Sequence, residues 1–487
     1  MFENAQRVLT TALICLTAVL ANAQPGASMA EADDKAKQAV AAAKEFSGSS
    51  LTVIWNKGLM AKEVLLYSGP LWEELTGIKV KVVELEIGEV YPSVESELIQ
   101  QSGVYDVLSI VPNRLPDYIG INAIEPLDSY IDRYDYRQEL NDIAPSFVKN
   151  WMSYEGNIYS IPDDGDVLML YYRKDLFEDP QHQAKFSQQY GYPLAPPKDW
   201  HQFRQISEYF TEQLAPQMYG SAMMHDSLSH YFFSERFRVA GGRFFNPKTM
   251  ETSINSVIGV ATLREMVEQQ KSMPPDANYW GFMDVLSAFS SGRIVMTEFW
   301  PPLGRWSEGY GLDSELLSWV PRSQVSGKVG YALPPGGYSA MAAGFGLSIS
   351  ADSSNKEAAY LFIQWLTSRT TSLQRVQIPY SLRDPYRISH FQSEEYRSLW
   401  HNAGEYLDTM QLASERGLLD LSLLQVNLYE LALTQGLKAA LQGQVDPETA
   451  LDHVARQWNK ITQSIGVERQ RQQYIAWMSK PQAYPEL

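Results

Sequence analysis

The chain has a single cysteine, Cys15, and it lies inside the apolar run of residues 8–20. With no other thiol, disulfides, cysteine metal sites and thiol nucleophiles are excluded together from everything after residue 23. A thiol-free body suits an oxidising compartment outside the cytoplasm. Long hydrophobic runs are equally scarce. After residue 23 no stretch approaches the roughly eighteen uninterrupted apolar residues of a membrane-spanning helix, so no stable membrane insertion is expected. Positive charge is in deficit, with 40 basic against 57 acidic residues and a formal net charge of -17. Such a surface speaks against nucleic acid or anionic lipid as a partner. Sequence motifs of enzyme chemistry are missing as well: there is no nucleophile elbow, phosphate loop or HExxH helix.

What is present begins with an export signal. Residues 8–20 are too short to span a bilayer comfortably, and Ala21-Asn22-Ala23 follow with small residues at the two positions a signal peptidase reads. Residues 1–23 are therefore expected to be cleaved, leaving a periplasmic protein. Ile14 before Cys15 does not suit a lipoprotein site. Residues 24–47, rich in Ala, Lys, Glu, Asp and Gln, read equally as a helical or a flexible extension.

The body that follows is longer than one core usually serves, so two lobes are expected. Residues 51–55, 78–83 and 105–110 read as strands, with helical stretches between them, and this alternation predicts an α/β fold with mostly parallel sheets. Sheets of this kind bind ligands at the carboxyl ends of their strands. Later segments are helical: Asp199 is a candidate N-cap for a helix through about Glu212, and apolar spacing predicts helices over 254–273, 355–367, 417–442 and 447–464. In the last of these, Leu451, Val454, Ala455, Trp458 and Ile461 share a face that reads as core.

Several ordered motifs carry a resemblance. Thr76-Gly77-Ile78-Lys79-Val80 and Gly103-Val104-Tyr105-Asp106-Val107 come first, then Tyr154-Glu155-Gly156-Asn157-Ile158-Tyr159 leading into Tyr171-Tyr172-Arg173-Lys174-Asp175-Leu176. Pro197-Lys198-Asp199-Trp200, Ser291-Gly292-Arg293-Ile294-Val295-Met296 and Asn355-Lys356-Glu357-Ala358-Ala359 follow in order. Together they resemble the large solute-binding proteins of carbohydrate ABC importers, the group that includes the maltose-binding protein, over most of residues 50–465.

The resemblance implies a two-lobed periplasmic-binding-protein fold, type II-like, with the ligand cleft at the hinge. Lobe 1 would hold residues 48–164 plus 337–385, lobe 2 residues 165–336 plus 386–487, and the hinge would include Pro162–Asp166. It also implies a monomer that binds a sugar, oligosaccharide or polyol, delivers it to ABC permease subunits, and needs no cofactor.

A sugar offers hydroxyls that donate and accept, plus flat C–H faces, so its site needs carboxylates, amides, arginines and aromatic rings. By resemblance, Asp166 falls where the maltose-binding protein has a ligand carboxylate, though it also suits a hinge-loop cap; Asp163 and Asp164 are ligand candidates or a solvated acidic turn. Asn113-Arg114 aligns with a sugar-holding Asp-Arg pair, with Asn in place of Asp, and Asn113 is alternatively a helix cap. Trp55 and Lys57 end the first strand, where Trp55 suits cleft or core. Tyr231 and Trp300 fall at the family's stacking positions, Arg383 at a strand end that can reach the cleft, and Tyr91 where a lid could lie.

Two other readings stand beside this one. The cleft could take a polyamine, a sugar acid or a phosphorylated compound, or the chain could be a glycoside hydrolase, which needs two carboxylates about 5 to 10 Å apart. Asp163, Asp164 and Asp166 sit on one turn rather than across a scissile bond. The seven histidines offer no metal set, since the five-residue separation of His225 and His230 is off the same helical face.

Overall fold

The computed structural model describes residues 34–225 and 228–485, so the expected signal of residues 1–23 lies outside the described residues. The first element among the described residues is α1 (Asp34–Ala43), followed by one 3-10 turn. Its Ala36, Ala39 and Ala43, at helical spacing, are buried against the helix Lys356–Thr367, and the amide of Gln364 donates to the Lys35 carbonyl at 3.2 Å. Small side chains on one stripe let the two helices approach closely, so this part of the extension is docked.

Two sheets organise the rest. The first contains β1 (Ser50–Asn56), β2 (Lys79–Leu85), β3 (Val107–Ile110), β4 (Ile161–Asp164) and a late strand, Phe345–Ile349, in the order β2-β1-β3-(345–349)-β4. The second contains β5 (Met169–Arg173), β6 (Tyr219–Ser221), β7 (Ile294–Phe299) and β8 (Val329–Ala332), in the order β8-β5-β7-β6. Parallel pairing holds for β2-β1-β3 and for β6-β7. The other pairs are antiparallel, because the chain enters and leaves each sheet through crossings from the other one. Strands β3, β4, β5 and β7 are buried at every position, as strands covered on both faces should be. Edge strand β2 instead exposes Lys79 and Lys81, charges that guard a free edge.

The helices form where capping and periodicity place them. Asp199 accepts from the Gln202 amide at 2.8 Å and starts Trp200–Leu214, and Asp446 does the same for Pro447–Ile465 through Thr449 at 2.9 Å. In that last helix Leu451, Val454, Ala455 and Trp458 are buried. The stretch Leu59–Thr76 is helical with a wide turn at Val64–Ser68, just before Pro70, which has no N–H to continue the ladder. Three helices matter below: α2 (Ser229–Val239), α3 (Phe282–Ser290) and α4 (Val426–Leu441). Among the described residues no helix is long and apolar enough to cross a membrane.

The chain passes between the sheets more than once, and the crossings lie side by side. The first, residues 165–168, joins β4 to β5; the second, residues 333–344, returns from β8 to the first sheet. Leu168 donates to the Ala340 carbonyl and to Ser339 Oγ, both at 3.0 Å, and Gly165 donates to the Asp384 carbonyl at 3.0 Å. A Cβ on Gly165 would sit 2.2 Å from the Pro385 carbonyl oxygen. We expect Gly165→Ala to force these segments apart and lower stability by about 1–3 kcal/mol, the range for overpacking, read as a shift of the denaturation midpoint.

Candidate functional site

Between the two sheets lies a cavity of about 610 Å³, within the usual range for small-molecule sites. It opens at the carboxyl ends of strands, as expected for α/β sheets. Asn56 comes from the end of β1, Val111, Asn113 and Arg114 from the turn after β3, Asp164 from the end of β4 and Asp166 from the first crossing. Tyr231 projects from α2, Phe282 from α3, Trp300 from the end of β7, and Asn427 and Glu430 from α4.

Of the residues picked from sequence, Asp166, Asn113, Arg114, Tyr231 and Trp300 line this cavity together. Tyr231 and Trp300 meet edge-on with ring centroids 5.9 Å apart, and Trp300 Nε1 donates to the Ala342 carbonyl at 3.1 Å, which fixes the indole. Asn113 Nδ2 donates to Glu430 at 2.8 Å and Arg114 to the same carboxylate at 3.3 Å. Ser422 Oγ donates to the Asn113 carbonyl at 2.8 Å. The turn after β3 is thereby fastened to the C-terminal segment, and Asn113 is a bridging residue, not a helix N-cap with a side-chain bond.

Trp55, Lys57, Tyr91, Asp163 and Arg383 do not line the cavity. Trp55 is fully buried core with Arg383 over its ring at 5.2 Å. Lys57 is solvent-exposed and pairs with Glu86 at 3.0 Å. Tyr91 packs edge-on against Tyr118 at 5.2 Å. Asp163 and Arg383 belong to a buried ionic network with Glu63 and Arg375: Arg383 reaches Asp163 and Glu63 at 2.9 Å each, and Arg375 reaches Glu63 at 3.0 Å and also bonds Asp163. Two carboxylates and two guanidiniums balance there, and although burial pushes Asp163 upward, its two arginines hold its pKa below the usual carboxylate value. The acidic turn is not solvated: Asp163 is 0% exposed and Asp164 1%.

A second charge cluster is unbalanced. Asp164, Asp166 and Asp384 place carboxylate oxygens within 4.8 Å of one another, with one guanidinium, Arg305, 3.4 Å from Asp384. Gly344 donates to Asp166 at 3.1 Å and Asp384 N–H donates to Asp164 at 2.6 Å. Burial and mutual repulsion raise Asp164 and Asp166 well above the usual carboxylate range. Burial lifts Asp384 to about 6 against the pull of Arg305. Raised in this way, a carboxyl facing the cavity is drawn toward its neutral form, which donates as well as accepts and so matches a hydroxyl's two-sided demand. Next to it Ala343, also a cavity residue, is held at φ +65°, a left-handed conformation uncommon outside glycine.

Glu430, Asn427, Phe282 and Asn56 were missed by sequence reasoning. The signal available was on α4, where Asn427, Glu430, Leu431 and Thr434 fall three, one and three residues apart and share one helical face.

Comparison with known proteins follows the same lines. Residues 48–371 match the bacterial extracellular solute-binding protein family. The chain is 23% identical over 334 residues to a probable amino-acid ABC transporter periplasmic-binding protein of Sinorhizobium fredii strain NGR234, covering 67% of this chain and 70% of that one. It is also 23% identical over 300 residues to the mannitol-binding protein of Pseudomonas aeruginosa, covering 60% and 63%. Among solved structures, the ABC transporter solute-binding protein of Agrobacterium radiobacter K84 in complex with ribitol superposes with a TM-score of 0.68 at 19% identity, over 85% of this chain and 99% of that one. The Agrobacterium vitis S4 protein with bound D-mannitol gives 0.67 at 23% identity, over 86% and 99%. Both have the two-lobed fold seen here. Since the family pattern runs through most of the chain and through both sheets, this chain belongs to the bacterial extracellular solute-binding proteins.

Proposed function

We propose that this protein is the periplasmic substrate-binding component of an ABC importer and captures a sugar, oligosaccharide or polyol in the cavity between its sheets. The observation that carries the reading is the convergence of the Asp164 and Asp166 carboxyls, Asn113-Arg114 and the Tyr231–Trp300 pair on one cavity that both sheets enclose. Residues 48–164 plus 337–385 form one lobe and residues 165–336 plus 386–487 the other. Ligand touching both lobes stabilises the closed form only by what it gains there over the open one. The closed monomer then docks on permease subunits, with residues 1–23 acting as the export signal. The cycle involves no cofactor and no bond-making, and Asp166, Asn113, Arg114, Tyr231 and Trp300 are its ligand contacts. Proteins of this fold with ribitol and D-mannitol bound support a hydroxylated solute.

Thermal unfolding of residues 24–487 against sugars, polyols, sugar acids, polyamines and amino acids tests this. A compound at one hundred times its Kd adds about 2.7 kcal/mol of stability. Shifts confined to sugars or polyols, with the compound recovered unchanged, support the reading. Shifts confined to amino acids or polyamines overturn the carbohydrate assignment, and consumption of the compound overturns binding without chemistry. Trp300→Leu, which keeps apolar bulk and loses the ring face, is expected to weaken the responding sugar about two- to tenfold by titration calorimetry.

A further inference from the structure

We infer that the solute carries an apolar arm beside its hydroxyls, in the manner of an alkyl or aryl glycoside; this rests on the carbohydrate reading above and narrows it. The cavity's side chains are mostly apolar and come from separate segments: Met60, Leu228, Phe282, Phe345, Leu382 and Leu431, in addition to Tyr231 and Trp300. Several of its polar side chains already bond within the protein. Asn113 and Arg114 bond Glu430, Asp164 accepts from Asp384, Asp166 accepts from Gly344, and His230 meets Thr434 at 3.2 Å. Trp300 Nε1 is turned to a backbone carbonyl.

Asn113 Oδ1, buried without a hydrogen-bond partner, and Asp166 can answer hydroxyls, whereas Met60, Leu228, Phe282, Phe345, Leu382 and Leu431 offer none across the rest of a cavity of about 610 Å³. A solute hydroxylated on every side would leave hydroxyls against hydrocarbon, and an unpaired buried hydroxyl is disfavoured. A solute with hydroxyls toward Asp166 and Asn113 and an alkyl or aryl group toward Phe282 and Leu431 satisfies both parts of the wall. Leu431 is 55% exposed and carries the apolar surface outward to solvent, so an arm need not be fully enclosed.

Titration calorimetry of residues 24–487 with paired methyl and phenyl β-D-glucopyranosides, and the matching galactosides and mannosides, tests this. In at least one pair the phenyl member is expected to bind at least tenfold tighter, and Leu431→Ser, at an exposed position that leaves the fold intact, is expected to remove most of that advantage while sparing the methyl member. Equal or weaker binding by every phenyl member, while a sugar or polyol of the thermal panel binds, overturns the inference and leaves the proposed function standing. An advantage unchanged in both Leu431→Ser and Phe282→Ser puts the ring outside the cavity and also overturns it. Absence of binding by every sugar, polyol and glycoside overturns both.

Discussion

Asp163→Ala is expected to lose about 3–5 kcal/mol of folding stability, the cost of breaking a buried ion pair by removing one partner. Asp163, Glu63, Arg375 and Arg383 are each at most 1% exposed, and every charge in the network is answered by another. Without Asp163 two guanidiniums remain against the single carboxylate of Glu63, in a place water does not reach. The double variant Asp163→Ala with Arg383→Met restores one carboxylate to one guanidinium and should recover part of the loss, a coupling that guanidinium chloride titration reads directly. A loss under about 1 kcal/mol for the single variant would show that the network is not the buried charge balance described. The network reaches from helix residue Glu63 to the end of β4 and the segment around Arg383, so it sets the position of the first crossing, and with it Asp164 and Asp166.

Asp166→Asn is expected to weaken the ligand about 10- to 100-fold, consistent with about 1–3 kcal/mol for leaving a buried hydroxyl without its partner. The same change should not destabilise the protein at pH 8. The folded-state pKa values of Asp164, Asp166 and Asp384 all lie above their unfolded values. A raised pKa contributes stability that is present below the unfolded value and lost as pH rises through the folded one. For Asp384 that loss runs from about 4 through about 6, and for the other two it has the same sign. The wild type should therefore lose stability from this cluster as pH rises from about 4 through about 6, and Asp166→Asn should flatten that slope. His225, buried and held at about 4, acts in the opposite sense by costing stability as pH falls below 6.5, and it is common to both proteins. Unaltered affinity in Asp166→Asn would remove this carboxyl from the site; a marked loss of stability at pH 8 would contradict the repulsion assigned to the cluster. A site that binds at the expense of stability is a common trade.

The parts of this fold legible in the sequence were those set by near neighbours. Alternating strands and helices gave β1, β2 and β3 to within two residues at each end, and Asp199 could be read as a cap because its donor, the Gln202 N–H, lies three residues away. The roles of the hinge acids were not legible, since what decides them arrives from far along the chain: Arg375 lies 212 residues and Arg383 220 residues from Asp163. A run of Pro162-Asp163-Asp164-Gly165-Asp166 looks solvated until those arginines and Asp384 are beside it. Asn113 and Arg114 were found at the cavity, but their partner Glu430 sits 316 residues beyond Arg114, on a helix predicted from apolar spacing alone. Trp55 had two readings open, and packing against Arg383 decided for core.

Small-angle X-ray scattering of residues 24–487, with and without the compound that the thermal panel selects, tests most directly whether this chain captures solute by closing two lobes on it. Closure predicts a smaller radius of gyration at saturation, reached in Asp166→Asn only at ligand concentrations about 10- to 100-fold higher. An identical scattering curve with and without a ligand that demonstrably binds would contradict it.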